Sequence, residues 1–376
     1  MPAEKKPRIL ILDDHEDEIV LKRLKRTHGR AKVSVLHPQE VELQDLLEVS
    51  LVLVDYQLDN WLERDEASSV ALQPRDGLAL VSVLRRQIHS QSDTPVAFAI
   101  FTGHIQKLAG PLPDEYRQHA LARLNNLEWV FRKERVNVTQ IVDLAAAVMK
   151  LPARWPTQPG KPIRQLANLL GIQQNDDDAD LILQDVEACQ PPVHELSEWS
   201  HGLVILRWLL HRILPYPCFL WTTRQLAARL RIDYDALRGQ LNNSSPLSVK
   251  LNSCKYNGIL SDFLGARWWR VKIERLLWHI TKGNSSDIDA VRHSIKKIAR
   301  TSLPASSPSD HPIVCLGSKF RPLRQFFSMD DAVRIRLDDW PPYADQAWTT
   351  IELAREHPRL RALVVGEDRH KLETAD

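Results

Sequence analysis

The sequence predicts an α/β fold, a doubly wound parallel sheet, followed by a mainly α-helical domain with a small α/β C-terminal portion. Three observations predict it. Three short apolar runs in the first third, Arg8–Asp14 (RILILDD), Leu51–Asp55 (LVLVD) and Val96–Thr102 (VAFAIFT), and a fourth, Glu128–Lys133 (EWVFRK), have the length and apolarity of strands in a parallel α/β sheet. Between them lie segments of helical periodicity. After a proline-rich break at 151–162 that alternation stops and helical periodicity takes over.

Each apolar run ends on a polar residue suited to phosphoryl chemistry: Asp13 and Asp14, Asp55, Thr102, and Lys133. In a parallel sheet the loops after the strands gather at one edge, so these groups are expected to share a crevice. Carboxylates so placed repel one another unless a hard cation neutralises them, and Mg2+ suits such oxygen ligands. A carboxylate beside the metal can then carry a phosphoryl group as an acyl phosphate. A Thr102 hydroxyl can donate to a phosphoryl oxygen, and Lys133 offsets its charge.

The intervening helices follow in order. Asp17–Arg26 carries Ile19, Val20, Leu21 and Leu24, and Gly77–Gln87 carries Leu78, Leu80, Val81 and Leu84. Val138–Leu151, with Ile141, Val142, Leu144, Ala145 and Val148, would close the domain.

Strand-DDH, strand-D, strand-T-G and strand-K in this order, with Asp76-Gly77-Leu78 opening a helix, resembles the receiver domain of two-component response regulators over residues 7–151. The resemblance implies a flavodoxin-like sheet of five strands. It implies Asp55 as phosphoacceptor, Asp13 and Asp14 with Asp55 as the Mg2+ site, Thr102 as switch hydroxyl and Lys133 as phosphate partner. It also implies a histidine kinase or phosphotransfer protein as donor.

Four features depart from that family. A long loop, Tyr56–Arg75, with Trp61 among Asp59, Glu63, Asp65 and Glu66, separates Asp55 from Asp76-Gly77-Leu78, and it reads either as a gate on the site or as a surface insertion. A smaller insertion, GPLPDEYRQHALARLNN, follows Thr102. Glu134 stands where proline is usual, so a cis peptide is not expected there, and Val130 stands where a switch aromatic is usual, with Trp129 and Phe131 on the other strand face. A pocket that no longer takes phosphate is the alternative reading.

The 376-residue chain has 50 Lys and Arg against 48 Asp and Glu, a balance that singles out no polyanionic partner overall. Cys189, Cys218, Cys254 and Cys315 are far apart with no metal-ligand spacing, which suggests neither zinc nor a disulfide framework. With a basic start that runs straight into a strand, the expected location is the cytoplasm. The most apolar later stretch, 202–221, is interrupted by Arg207, His211, Arg212 and two prolines, so no membrane segment is expected.

The expected organisation is a receiver at 1–151, a linker at 152–162, a helical effector at 163–300 and a small α/β portion at 301–376. Helices are expected at Ile163–Gly171, Asp176–Cys189 and Val193–Leu214. Thr222–Leu241 has the spacing of a helix-turn-helix, with Asp233 as N-cap of its second helix and Arg231 in the turn position that favours glycine. The span 201–282 holds thirteen Lys and Arg against four acids. A DNA-reading role would fall to Arg224, Arg229, Arg231, Tyr234 and Arg238, although Asp233 and Asp235 oppose it; packing is the alternative.

In 254–280, Trp268, Trp269 and Trp278 with Arg267, Arg270, Lys272 and Arg275 fit either a binding clamp or, for Trp269 at least, a core helix face. Residues 301–312 read as a Ser/Pro linker, then IVCL, AVRIRL and RALVV as strands with TTIELAREH as a helix. The output expected is interaction with an effector target protein; the alternatives are a DNA-binding transcription regulator using 222–241 and a receiver-regulated enzyme.

Overall fold

A computed structural model describes residues 6–15, 29–61, 74–89, 94–109, 118–197, 201–308 and 310–373. The chain forms two compact units that are not sequential: unit 1 comprises Met1–Ile172, Pro191–Pro215 and Gly258–Leu264, and unit 2 comprises Gln173–Gln190, Tyr216–Asn257 and Gly265–Asp376. The expected boundaries at 151–162 and 300–301 therefore do not coincide with this division. The proline-rich segment does not behave as a free linker, since Trp155 is buried within it and Lys161–Leu170 continues as a helix of unit 1.

Unit 1 is built on five strands, β1 Arg8–Leu12, β2 Lys32–Leu36, β3 Leu51–Val54, β4 Ala97–Thr102 and β5 Trp129–Arg132. They form one all-parallel sheet in the order β2-β1-β3-β4-β5. Leu12 pairs with both Leu36 and Val54, Val54 with Ile100, and Thr102 with Arg132, so the strand ends are level along one edge.

The apolar runs are continuous because both faces are covered. Leu10, Leu12, Val52, Val54, Phe98, Ile100 and Val130 join one core with Leu46, Leu80, Leu84 and Leu121 from the helices Leu43–Leu47, Gly77–His89 and Gln118–Leu124. The alternate residues Ile9, Ile11, Leu53, Phe101, Trp129 and Phe131 are also buried. Val138–Met149, which packs against β3, is fully apolar on its inner side, and Phe263 lies edge-on to Trp129 and Phe131 at 4.8 and 6.4 Å. Each buried aliphatic contributes roughly 1.5–3 kcal/mol to holding the sheet between its two covered faces.

β2 has no strand-end acid and lies half-exposed at the sheet edge, which is why its run KVSVL does not stand out in the sequence. The expected helix Asp17–Arg26, the centre of the Tyr56–Arg75 loop with Glu63, Asp65 and Glu66, and the first half of the second insertion lie outside the described residues.

Opposite the strand ends, at the start of β5, sits Glu128, whose side chain is wholly buried. Its oxygens accept from Arg85 Nη2 (3.2 Å), Arg207 Nη2 (2.6 Å) and the Phe98 backbone N–H (2.6 Å). Burial by itself would raise this carboxyl; the Arg207 and Arg85 guanidiniums reverse that and hold it below the usual carboxylate range. His211 lies 3.0 Å from the Glu128 carbonyl, and burial pushes its imidazole down to about 4.

Arg207 and His211 belong to the helix Leu203–Trp208 and the π turn Leu209–Ile213. This helix begins at Leu203 rather than at Val193, because Gly202 takes φ 74° where an added Cβ would lie 3.0 Å from the Trp155 ring.

In unit 2, β6 Leu220–Thr222 pairs antiparallel with β7 Arg267–Trp269. The Trp268-Trp269 dipeptide is therefore strand, and the helix starts only at Arg270, running to Ile280. Thr223–Leu230 and Tyr234–Asn242 form the expected helix pair. Thr222 and Gln225 make a capping box, Arg231 takes the left-handed turn at φ 59°, and the Asp233 carboxylate accepts from the Ala236 N–H at 2.9 Å.

The Ser/Pro stretch is no linker either. Its backbone seals onto that turn: the Asp233 N–H donates to the Pro304 carbonyl and the Ser306 N–H to that of Arg231. Farther on, β8 Ala332–Ile335 pairs antiparallel with β9 Ala347–Thr350. IVCL makes only isolated bridges, and RALVV begins as the end of the helix Pro358–Leu363 and contributes only an isolated antiparallel bridge from Val364 to Ile335. The second strand is supplied by AWTT, whose Thr350 also caps the next helix, so strand and helix signals overlap there.

Candidate functional site

Parallel register brings Asp13 and Asp14 after β1, Asp55 after β3, Thr102 at the end of β4 and Lys133 after β5 to one edge of the sheet. Asp13 and Asp55 are 8% and 7% exposed, and Thr102 is fully buried. Side-chain oxygens of Asp13, Asp14 and Asp55 all lie within 4.8 Å of one another. Lys133 Nζ donates to Asp13 Oδ2 at 2.6 Å and to Asp55 Oδ2 at 2.8 Å.

Backbone N–H groups supply further bonds to the site. The His15 N–H donates to Asp13 Oδ1 at 3.0 Å, the Asn60 N–H to Asp14 Oδ2 at 2.6 Å, and the His104 N–H to Thr102 Oγ1 at 2.9 Å. Thr102 accepts in that bond, which leaves its own O–H to donate. Asp14 Oδ1 is buried with no hydrogen-bond partner.

Three carboxylates against one ammonium leave two negative charges, which is the balance that a divalent cation fits. Burial raises the Asp55 carboxyl above its ordinary value, with Lys133 opposing and Asp13 reinforcing that shift. Burial would lower Lys133, but Asp13 and Asp55 outweigh it and hold the ammonium above its ordinary value. The donor set is oxygen only, and the unpaired Asp14 oxygen adds a ligand atom without breaking an existing bond.

Asn60 was not singled out from sequence, and Gly77 was named only as part of the Asp76-Gly77-Leu78 helix opening. Asn60, on the long loop, fixes Asp14 through its backbone, a role that carries no side-chain signature. Gly77 packs against the acceptor: a Cβ there would lie 2.0 Å from the Asp55 carbonyl oxygen. The loop also anchors at Trp61, whose Nε1 donates to Gln39 Oε1 at 3.0 Å. Lys133–Arg135 form a single 3-10 turn, and no cis bond occurs there. Val130 points into the core as its register requires.

The candidate DNA-reading residues are dispersed in their bonding. Arg224 donates to the Leu323 carbonyl at 2.5 Å and stacks on Tyr234 at 4.2 Å. Arg229 makes a bidentate pair with Glu274, both bonds 2.6 Å. Arg231 reaches His311, and Arg238 lies 3.9 Å from Asp235 on an exposed face.

Trp268 and Trp269 are core residues, whereas Trp278 is 55% exposed. Arg267 is buried, and Arg270, Lys272 and Arg275 pair with Asp185, Asp176 and Asp178. The clamp reading of 254–280 is thereby corrected: Lys272 and Arg275 meet the acidic stretch that opens the helix Ala179–Ala188, Arg270 meets Asp185 within that helix, and Arg267 donates to the Gly265 and Ala266 carbonyls. The four cysteines are buried and none is in a disulfide. Among the described residues no helix is long and apolar enough to cross a membrane.

No protein-family model and no curated protein matches this chain.

Proposed function

We propose that unit 1 is a phosphoacceptor domain of the two-component receiver kind, in which Asp55 takes a phosphoryl group from a phosphohistidine of a partner kinase or phosphotransfer protein in the cytoplasm. The observation that carries this is the convergence of Asp13, Asp14, Asp55, Thr102 and Lys133 from four strands onto one edge, with Lys133 bridging two of the carboxylates. The strand order is that of flavodoxin-like doubly wound sheets, and the group lies at the β1/β3 switch point where such sheets bind ligands.

Asp13, Asp14 and Asp55 would hold Mg2+, which neutralises charge on the transferring phosphoryl group. An Asp55 oxygen attacks phosphorus, the N–P bond of the donor breaks, and an O–P bond forms. Lys133 exchanges a carboxylate partner for a phosphoryl oxygen, and Thr102 donates its free O–H to another. Those two bonds bias the loops after β4 and β5 between two arrangements, which is the signal. Unit 2 is read as the effector, acting on a target protein; Arg224 and Arg229 are spent within the unit, which favours that output over DNA.

Incubation with a small labelled phosphodonor and Mg2+ tests the acceptor. Wild type is expected to take an acid-stable, hydroxylamine-labile label that chelation prevents and Asp55→Asn abolishes. Equal labelling of both proteins would sink the reading.

A further inference from the structure

Two of the four cysteines meet in space. Cys189 is the C-cap of the helix Ala179–Ala188 and Cys218 stands just before β6, yet their thiols are in hydrogen-bond contact. Arg270 builds that contact. Asp185, one turn before Cys189, accepts from Arg270 Nη2 at 3.0 Å and Nε at 3.2 Å, while the Arg270 backbone N–H donates to the Phe219 carbonyl at 3.0 Å. The helix end is thereby fastened to the residue after Cys218, whose ring stacks on Trp269 at 5.8 Å.

The surroundings treat the two sulfurs differently. The Cys218 S–H and the Phe219 N–H both reach the Cys189 sulfur, with the Arg270 guanidinium nearby, and the bond from Cys218 outweighs burial, so the Cys189 thiol is held below its ordinary value. Burial pushes Cys218 well up. Cys254 and Cys315 are the contrast: burial pushes both up, Cys315 to about 12, and neither meets a second thiol.

A thiolate in a cationic setting is the reactive form of cysteine, and a second thiol in contact resolves its first oxidation product. Cys189 keeps 4% exposure against 1% for Cys218, and the exposed Gln190 follows it, so the approach suits an oxidant little larger than water.

We propose that Cys189 and Cys218 are a peroxide-sensitive dithiol that closes to a disulfide within unit 2. The Cys189 thiolate attacks one oxygen of hydrogen peroxide and the O–O bond breaks. The departing hydroxide takes up the proton that Cys189 released and leaves as water, with Cys189 as a sulfenic acid. The Cys218 sulfur then attacks the Cys189 sulfur, an S–S bond forms, the S–O bond breaks, and hydroxide leaves as water with the Cys218 proton. Two thiols and one peroxide give one disulfide and two waters. Cys189 stands near the end of the segment Gln173–Gln190 and Cys218 near the start of Tyr216–Asn257, so the bond joins the places where the chain leaves unit 2 and re-enters it. None of this depends on the phosphoacceptor reading of unit 1.

Treating the native full chain with hydrogen peroxide, alkylating it and mapping its peptides by mass spectrometry without reduction tests the proposal. The expected product is a Cys189–Cys218 linked peptide with two of the four thiols lost, reversed by dithiothreitol, and with Cys254 and Cys315 oxidised at least about tenfold more slowly. Cys218→Ser should lose the link and leave a sulfenic acid at Cys189 that dimedone labels. The wild-type map needs no variant to fold. The proposal is overturned if the linked peptide is absent, if it forms only in urea, if all four thiols are lost at one rate, or if the disulfides join separate chains.

Discussion

Two acidic centres sit at opposite edges of the same parallel sheet, and they are wired in opposite ways. At the start of β5, one buried carboxylate, Glu128, faces two guanidiniums and a backbone N–H, so every lone-pair direction has a donor. At the strand ends, three carboxylates share one ammonium, and one buried oxygen of Asp14 has no donor. Over-compensation makes a staple that joins Gly77–His89, β4 and Leu203–Trp208; under-compensation leaves charge for a ligand to meet. Burial and acidity alone do not separate the two. The count of opposing charges does.

That contrast breaks most visibly at Glu128. Glu128→Gln leaves Arg85 and Arg207 without their counter-charge and is expected to cost about 3–5 kcal/mol, nearer the lower figure because both guanidiniums still reach water. Urea unfolding measures this. A loss below about 1 kcal/mol would mean that Glu128 is not a staple.

A second test lies at the other edge and involves no charge. Gly77→Ala should gain about 1 kcal/mol from helix propensity alone. The Cβ contact with the Asp55 carbonyl reverses the sign, and a net loss of roughly 1–3 kcal/mol is expected from overpacking. Labelling at Asp55 should fall as well, since the backbone that must move is that of the acceptor.

The smallest effect comes from a carboxylate of neither kind. Asp143, on Val138–Met149, accepts the Asp262 N–H at 3.1 Å, and burial pushes its carboxyl from 3.8 up to about 6. A raised folded value means that ionisation costs the fold: stability falls as pH rises from about 4 to about 6 and is level above that. Asp143→Asn keeps the acceptor oxygen without the charge. It should therefore flatten this slope and stabilise the protein by about 1–2 kcal/mol at pH 7, by thermal melts across that range.

Sequence by itself determined the sheet's buried strands and the residues at their ends. Continuous apolar runs of β1, β3, β4 and β5 can only be satisfied between two covered faces, and a strand's last residue is fixed by where its apolarity stops. The helix pair at 222–241 was legible for a similar reason, because Thr222 and Asp233 are local caps whose partners lie three residues away. The edge strand β2, half-exposed, and the strand AWTT, overlapping a helix cap, carry weaker local signals and were not.

Tertiary structure alone decided what meets what. Lys133 bridges Asp13 and Asp55 across 120 and 78 positions of chain, and Arg207 reaches Glu128 across 79. It also decided that Arg270, Lys272 and Arg275 meet Asp185, Asp176 and Asp178, while Arg267 is buried against backbone carbonyls. The physical reason is range: caps and periodicity act within a turn of chain, whereas charge compensation is set by distance in space and leaves no mark in the local sequence.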